Sequence, residues 1–193
     1  EIPLRLVGSE MCIRDRHMDE SDRLVDLMRE GIDCVLRGGT PQDSSLIARR
    51  IAMLEQVTCA SPAYLARYGQ PRSIEDLAQH KAVNYISSAS GKPFPLEFMV
   101  DGHMQSIVLP TAISVTGTKV YTGCALAGIG IVQMPRYHIE HEIQDGRLQL
   151  ILPDTPPPRM PLSVLYPQNR QLSARIRVFS EWMQDIFKAA GQT

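Results

Sequence analysis

Residues 21–39 constrain the fold more than any other stretch, because a helix pattern leads there into a strand that ends in glycine. Ser21 has the residue type of a helix N-cap, and apolar side chains recur at helical spacing over 21–30. Gly31 suits a helix end, and residues 32–36 have the composition of a strand buried on both faces. Two glycines follow. Ligands of α/β proteins bind beyond the carboxyl ends of strands, so this order predicts an α/β unit with a candidate binding edge.

Strand and helix patterns alternate along the rest of the chain. Strands are predicted over 51–59, 82–86, 96–100, 105–109, 113–115, 147–152 and 162–166, with a turn and a strand over 128–135. Helices are predicted over 61–69, 73–80, 116–127, 136–142 and 173–190. This alternation predicts the α/β class with largely parallel sheets.

Specific residues mark the ends of several elements. Ser61, followed by proline, has the pattern of an N-cap with proline at the first helical position. Ser73 and Asp76 have the spacing of a capping box. Asp101-Gly102 predicts the tight turn of a β-hairpin.

The order of the elements predicts two lobes. The stretch from about residue 60 to 160 has enough strands and helices for a lobe of its own, and the terminal strand and helix return to the first. We therefore assign residues 1–57 and 161–193 to lobe I and residues 58–160 to lobe II, and exclude 1–18 from fold reasoning because no periodicity is evident there. Two chain crossings make a hinged cleft, where small ligands commonly bind.

Composition narrows the function classes. The net charge of −1 and the pI of about 6.6 give the chain no electrostatic reason to bind nucleic acid by itself. The four cysteines form no CxxC pair, and the positions of Cys34 in a predicted strand and Cys124 in a predicted helix indicate buried thiols in a reducing compartment. No apolar run reaches the length of a membrane span and no secretion signal opens the sequence, so we expect a cytoplasmic protein without membrane contact.

Several motifs occur in a fixed order, although each alone is weak. They are DRLVDL with DCVLR over 22–37, CASPAYLARYGQP over 59–71, DLAQH over 76–80, ALAGIGIVQMP over 125–135 and GRLQLILP over 146–153. As an ordered set they closely resemble the effector-binding domain of LysR-type transcriptional regulators. The resemblance covers roughly residues 19 to 190.

The resemblance implies a fold and a set of partners. It implies two Rossmann-like lobes joined by crossing strands, as in type 2 periplasmic binding proteins, with a small-molecule effector between them. It also implies a homodimer or tetramer in the intact protein and DNA binding only through a helix-turn-helix that this chain does not contain. The family's domain opens with a strand and a helix before the residue 22 motif, so we expect lobe I to be incomplete.

Three places have the composition of a ligand-binding edge: two predicted strand ends and one helix start. The candidate effector-binding residues are Arg37, Gly38, Gly39, Thr40, Tyr85, Ser87, Ser88, Thr116, Thr118 and Tyr121. Such donors suit a small carboxylate or an aromatic acid. Turn and cap chemistry explains each polar residue about equally well, and core packing explains the two tyrosines.

Other reactive residue types have simpler explanations. His138 and His141 with Glu142 could hold a metal, but their spacing lacks the HExxH order and a solvated helix end is favoured. Cys34 and Cys59 lack a histidine placed by sequence, which favours structural thiols. We expect no catalytic residue, metal or cofactor.

Two other functions stay open for the same scaffold. A stand-alone solute-binding protein would share the two lobes and would carry an export signal. A small-molecule enzyme would need a convergent acid, base or nucleophile, which the sequence does not assemble.

Overall fold

The computed structural model of the protein describes residues 17–18, 25–40, 45–88, 90–168 and 173–192. The first part of the helix predicted over 21–30 lies outside these residues, as does almost all of 1–18. Residues 27–31 form a turn rather than a helix, in which the Ile32 amide donates to the Leu27 carbonyl at 3.0 Å. Gly31 ends this turn at φ 68°. The incompleteness of lobe I stays a prediction.

The sheet of lobe I has three described strands in the order β1-β10-β2. They are β1 (Val35–Gly38), β2 (Leu46–Leu54) and β10 (Met160–Pro167). β10 runs antiparallel to both neighbours, which pairs Gly38 with Leu162 and Leu54 with Met160. The predicted strand 32–36, buried on both faces, is wrong in position and burial: β1 begins at Val35, lies at the edge of the described sheet, and has a Leu36 that is 39% exposed.

Lobe II begins where one predicted strand divides into two. The segment predicted over 51–59 is the end of β2, then Glu55, then β3 (Gln56–Ala60), and the two strands belong to different sheets. β3 lies between β8 (Val132–Pro135) and β9 (Gln149–Leu150) and is antiparallel to both.

The prediction of largely parallel sheets is wrong. A parallel pair joins β4 (Ala82–Tyr85) to β7 (Thr111–Val115), and a parallel bridge joins Ala82 to Ile131. The strand pairs on β3 and β10 are antiparallel. The physical reason is topological: each strand that crosses between the lobes enters its new sheet against the direction of the strands there.

Lobe II confirms the predicted helix ends at Ser61 and Gly69 and the predicted capping box at Ser73 and Asp76. Helix α1 (Pro62–Tyr68) begins at Ser61, whose hydroxyl accepts from the Tyr64 amide at 3.3 Å, and ends at Gly69 with φ 85°. Ser73 and Asp76 make the reciprocal bonds of a capping box, although the helix that follows, Glu75–Gln79, is a 3-10 helix.

The predicted hairpin is also present. β5 (Leu96–Val100) and β6 (His103–Ile107) pair around Asp101 and Gly102, with φ values of 49° and 79°. Positive φ at both central residues is the geometry that such a hairpin turn requires.

Four further helical segments lie in the described part of the chain. Helix α2 (Thr118–Leu126) follows β7, and a 3-10 turn, Arg136–His138, leads from β8 into helix α3 (Glu140–Gln144). Helix α4 (Ala174–Ala189) begins at Ser173 and packs on the lobe I sheet. Its apolar face is narrower than predicted, because Trp182 and Ile186 are 52% and 42% exposed.

The buried side chains fall into separate cores. One cluster joins β2, β10 and α4, and two further clusters are drawn from residues 57 to 152. This partition supports two lobes joined at Glu55 and at the segment 153–159. The exact lobe boundaries given above stay a prediction.

Candidate functional site

One hydrogen bond connects two of the three predicted places across the lobes. The Nη2 atom of Arg37, in β1 of lobe I, donates to the Ser88 hydroxyl of lobe II at 3.1 Å. These residues are 51 positions apart in sequence. The fold therefore brings the end of the first strand to the loop that follows β4.

Parallel pairing brings the third place to the same edge. Tyr85 at the end of β4 pairs with Val115 at the end of β7, and the Ile86 amide donates to the Val115 carbonyl at 2.8 Å. Ser87 and Thr116 each follow directly on this pair. Because carboxyl ends of parallel strands meet at one edge, the hydroxyls of both loops belong to one rim of the lobe II sheet.

The helix start beside this rim differs from the prediction. The sequence suggested that Thr116 or Thr118 would cap helix α2, but the N-cap is Gly117 and no side chain makes the cap bond. Thr116 is exposed and Thr118 is half-buried. The exposed Thr116 side chain and the open helix start thus lie together, where an anion would meet backbone amides.

Gly38, Gly39 and Thr40 shape the chain at Arg37. A Cβ at Gly38 would meet Cε of Met160 at 2.8 Å, so a side chain there would press on β10. Gly39 has φ 87° and its amide donates to the Pro161 carbonyl at 2.8 Å. The Met160 side chain is flexible enough to relieve the contact at Gly38, so only Gly39 has a structural reason of its own, and the exposed Thr40 follows it.

Tyr85 and Tyr121 have different environments. Tyr85 is half-buried, with its ring 5.3 Å from that of Tyr121 at an interplanar angle of 83° and 6.3 Å from that of Phe94. Tyr121 is 4% exposed, and its hydroxyl bonds to both the amide and the carbonyl of Gln133. Burial raises the pKa of the Tyr121 phenol far above its usual value. The neutral, buried Tyr121 ring packs edge-on against the Tyr85 ring and so helps to hold it in place.

Gln133 was missed by sequence reasoning. Its side-chain oxygen accepts from the Glu97 amide at 2.9 Å, and its nitrogen donates to the Glu97 carbonyl and the Thr58 hydroxyl at 2.9 Å each. The amide group thus replaces a strand partner and ties the hairpin to β8. The signal was present: a glutamine interrupts an otherwise apolar strand pattern at 129–134.

A groove away from the predicted effector site was also missed. An open groove of about 410 Å³ is lined by Glu55, Arg136, Tyr137, Glu140, Ala190, Gly191 and Gln192. It shares no residue with the predicted effector site. The carboxylate of Glu140 accepts from Arg136 Nε at 2.7 Å, and the Glu55 carboxylate accepts from Nη1 at 3.4 Å.

The remaining reactive groups have structural environments. Over the described ranges, no three or more His, Cys, Asp and Glu side chains group as a metal site would require. His141 pairs with Asp145 at 3.3 Å. Burial raises the pKa of the Cys59 thiol to about 12, and burial followed by the charge of Asp33 raises the pKa of Cys34. Thiols held protonated in this way are poor nucleophiles.

No helix among the residues that the structure describes combines the length and the apolar character needed to cross a membrane.

The geometry defines a class of protein: a two-lobed α/β domain like the type 2 periplasmic binding proteins. The regulatory domain of CrgA, a LysR-type transcriptional regulator from Neisseria meningitidis, matches with a TM-score of 0.67 at 24% identity, over 82% of this chain and 77% of that one. The effector domain of the regulator AmpR of Pseudomonas aeruginosa matches with a TM-score of 0.69 at 17% identity, over 88% and 79%. These likenesses establish the fold alone.

Sequence comparison then gives the family. The family model of the LysR substrate binding domain matches residues 15–188. The chain belongs to the LysR substrate-binding domain family.

Its curated relatives are named as transcriptional regulators. The HTH-type transcriptional regulator YhjC of Escherichia coli K12 is 35% identical over 171 residues, which are 89% of this chain and 57% of that protein. The HTH-type transcriptional repressor PA14_22550 of Pseudomonas aeruginosa UCBPP-PA14 is 31% identical over 170 residues, 88% of this chain and 54% of that protein. The chain thus spans about half the length of these relatives.

Proposed function

We propose that this chain is the ligand-sensing domain of a LysR-type transcription regulator and that it binds a small carboxylate or aromatic effector between its lobes. The observation that carries the proposal is the bond from Arg37 to Ser88, because it joins the two lobes at the rim that also carries Ser87 and Thr116.

Each candidate residue has a role in this proposal. The Arg37 guanidinium binds the effector carboxylate, since planar guanidinium and carboxylate groups match in charge and geometry. The hydroxyls of Ser87, Ser88, Thr116 and Thr118 complete the polar contacts. The Tyr85 ring provides an apolar wall, while Gly38, Gly39 and Thr40 position the Arg37 backbone. We now assign Tyr121 to support of Tyr85, because its hydroxyl is engaged by Gln133.

The proposed role of the whole regulator extends beyond this chain. We infer that effector binding changes the closure of the lobes or their packing against a second copy, in a homodimer or tetramer. That change would re-space DNA-binding heads of the helix-turn-helix type. A cytoplasmic location follows from a DNA-binding role. We assign no catalytic function, because the candidate residues that the structure describes offer hydroxyls, the Arg37 guanidinium and aromatic rings, and no acid or base converges with them there.

The alternative of a stand-alone solute-binding protein shares the fold. The names of the relatives favour the regulator, since each of those reported above is an HTH-type transcriptional protein.

The test is calorimetric titration of the 193-residue chain with benzoate, with the neutral isostere benzamide and with the aliphatic acid hexanoate as comparison probes. We expect at least one of the two carboxylates to bind and benzamide to bind more weakly. The variant Arg37→Gln should weaken carboxylate binding by about tenfold or more, because a charge-assisted bond is lost.

Arg67→Gln is the matched control, because Arg67 is an exposed arginine of α1 in lobe II. It should leave the affinity unchanged. Equal carboxylate affinity in Arg37→Gln and the unmodified chain would overturn the proposed site. Failure of both carboxylates to bind would overturn the proposed effector class.

A further inference from the structure

The two chain crossings between the lobes are joined to each other. The first crossing is Glu55, between β2 and β3, and the second is the segment 153–159. The Gln56 side chain donates from Nε2 to the Pro158 carbonyl at 2.7 Å. The crossings therefore form one narrow hinge beside the groove described above.

Glu55 is bonded toward both lobes. Its amide donates to Oε1 of Gln192, at the end of helix α4, at 2.8 Å. Its carbonyl accepts from the Arg136 amide of lobe II at 2.9 Å, and its carboxylate accepts from the Arg136 guanidinium at 3.4 Å. A rotation at Glu55 would strain one or more of these bonds.

The last turn of α4 also contacts lobe II directly. The Phe187 ring packs beside the lobe I core, and it meets the Tyr137 ring of lobe II edge-on at 6.0 Å. The Gln192 amide donates to the Phe187 carbonyl at 2.8 Å, and Gly191 turns the chain at φ 73°. The helix end thus holds the Gln192 side chain against the hinge.

The groove has walls from both lobes. Residues 190–192 form one side, Arg136, Tyr137 and Glu140 form the other, and Glu55 lies in the hinge between them. Its width must therefore change when the angle between the lobes changes.

We propose that residues 190–192, which directly follow α4, are a brace that holds the hinge at Glu55 and so fixes the angle between the lobes. β1 and β2 run in the same direction on either side of β10, so Gly38 and Leu54 both end at the edge that faces lobe II. A rotation at Glu55 therefore moves Arg37 relative to Ser88. The brace therefore governs the opening of the proposed effector site.

The backbone bonds of Glu55 carry the brace more than its ion pair does. The Arg136 and Glu55 side chains are 32% and 46% exposed, and exposed ion pairs are weak because water screens them. The bond from the Glu55 amide to Gln192 is short and half-buried. Its loss should therefore have a larger effect than neutralising the Glu55 carboxylate.

The experiment measures the distance between the lobes without any effector, so its result does not depend on the proposed function. Nitroxide labels are attached at Ala48→Cys in β2 and Arg67→Cys in α1, which are exposed positions on different lobes. Cys34→Ala removes the half-buried thiol and Cys12→Ser the thiol outside the described residues, while Cys59 and Cys124 stay because they are buried. Pulsed electron paramagnetic resonance then gives the distribution of label distances.

We expect one narrow distance for the parent chain and a broader or shifted distribution for Gln192→Ala. Loss of one such bond should change the ratio of lobe arrangements by about fivefold, which corresponds to about 1 kcal/mol. Glu55→Gln, which keeps both backbone bonds, should give a smaller change.

Gln79→Ala is the matched control, an exposed glutamine of the 3-10 helix in lobe II, and it should leave the distribution unchanged. Circular dichroism checks that each variant is folded. The same distribution in Gln192→Ala and the parent chain would overturn the brace, as would an equal change in Gln79→Ala.

Discussion

The cores of the two lobes differ in how completely they are buried and in how they are assembled. In lobe II, Leu77 and Phe98 have no exposed surface, and the β5–β6 hairpin closes through a two-residue turn. In lobe I, the sheet pairs β10 with strands more than 100 residues earlier, and Phe179 of α4 is only half-buried. Lobe II therefore has more local contacts and more fully desolvated apolar surface, so we expect it to be the more stable lobe.

The largest expected effect comes from a phenylalanine in each core. Phe98→Ala should lower the free energy of unfolding by about 4 kcal/mol, because it leaves a cavity in a fully buried cluster. Phe179→Ala should lower the free energy of unfolding by about half as much, because the half-buried Phe179 ring buries less apolar surface on folding than Phe98 does. Urea denaturation followed by far-ultraviolet circular dichroism measures both losses.

Fluorescence separates the lobes in the same experiment. Trp182 is the single tryptophan of the chain, and its ring lies 6.1 Å from that of Phe179 in lobe I. If the lobes unfold independently, Phe98→Ala lowers the midpoint seen by circular dichroism and leaves the Trp182 midpoint in place. An equal loss of stability in Phe98→Ala and Phe179→Ala would contradict the difference between the cores.

More of lobe II than of lobe I could be predicted from the sequence. Helix α1 was predicted because Ser61 and Gly69 set its ends by local chemistry, and the hairpin was predicted because Asp101-Gly102 adopts positive φ at low cost. In lobe I the start of β2 was missed. Its polar Arg49 and Arg50 lie in a strand at the edge of the sheet as far as the structure describes it, and apolar alternation is not required there.

Strand direction could not be predicted, because it depends on which lobe a crossing strand enters from. Nothing within β3 or β10 encodes that choice locally. The alternation of helices and strands predicted parallel strand pairs, but the strands that cross between the lobes pair antiparallel with their neighbours.

The candidate site was predictable only as separate pieces. Strand ends and hydroxyls indicated Arg37, Ser88 and Thr116, while their joining across the lobes depends on the tertiary fold. Core packing of Tyr121 was one of the two explanations that its sequence allowed, but its hydrogen bonds to the backbone of Gln133 on the next strand depend on the tertiary fold. Whether these residues bind an effector stays a prediction.

Replacing a helix N-cap serine should lower the stability of each lobe by a smaller amount. Ser61→Ala should cost about 1 kcal/mol, because the hydroxyl that accepts from the Tyr64 amide is buried and no water can replace it. Ser173→Ala should cost less, about 0.5 kcal/mol, since Ser173 is exposed and its bond to the Ile176 amide is 3.4 Å. Differential scanning calorimetry of both variants checks the order, and a larger loss in Ser173→Ala would be the wrong order.

The smallest expected effect is a pH dependence that belongs to lobe II. His80 is 4% exposed, and its Nδ1 atom lies 3.3 Å from the Tyr64 hydroxyl. Burial lowers the pKa of His80 from its usual 6.5, and the charge of Asp76 opposes this in part. The unfolded chain therefore binds a proton more readily than the folded one, so stability is full above pH 6.5 and falls as the pH drops below that value, until the folded pKa is passed.

His80→Asn should remove this fall, whereas His103→Asn, at an exposed position of the hairpin, should keep it. Urea midpoints measured across this pH range by circular dichroism and by Trp182 fluorescence give the comparison. His80 and its partner Tyr64 both lie in lobe II, whereas Trp182 reports on lobe I. The pH dependence should therefore appear in the circular dichroism midpoint. A fall that persists unchanged in His80→Asn would assign it to another group, and a fall seen equally by Trp182 would mean that the protonation of lobe II is felt in lobe I through the hinge at Glu55.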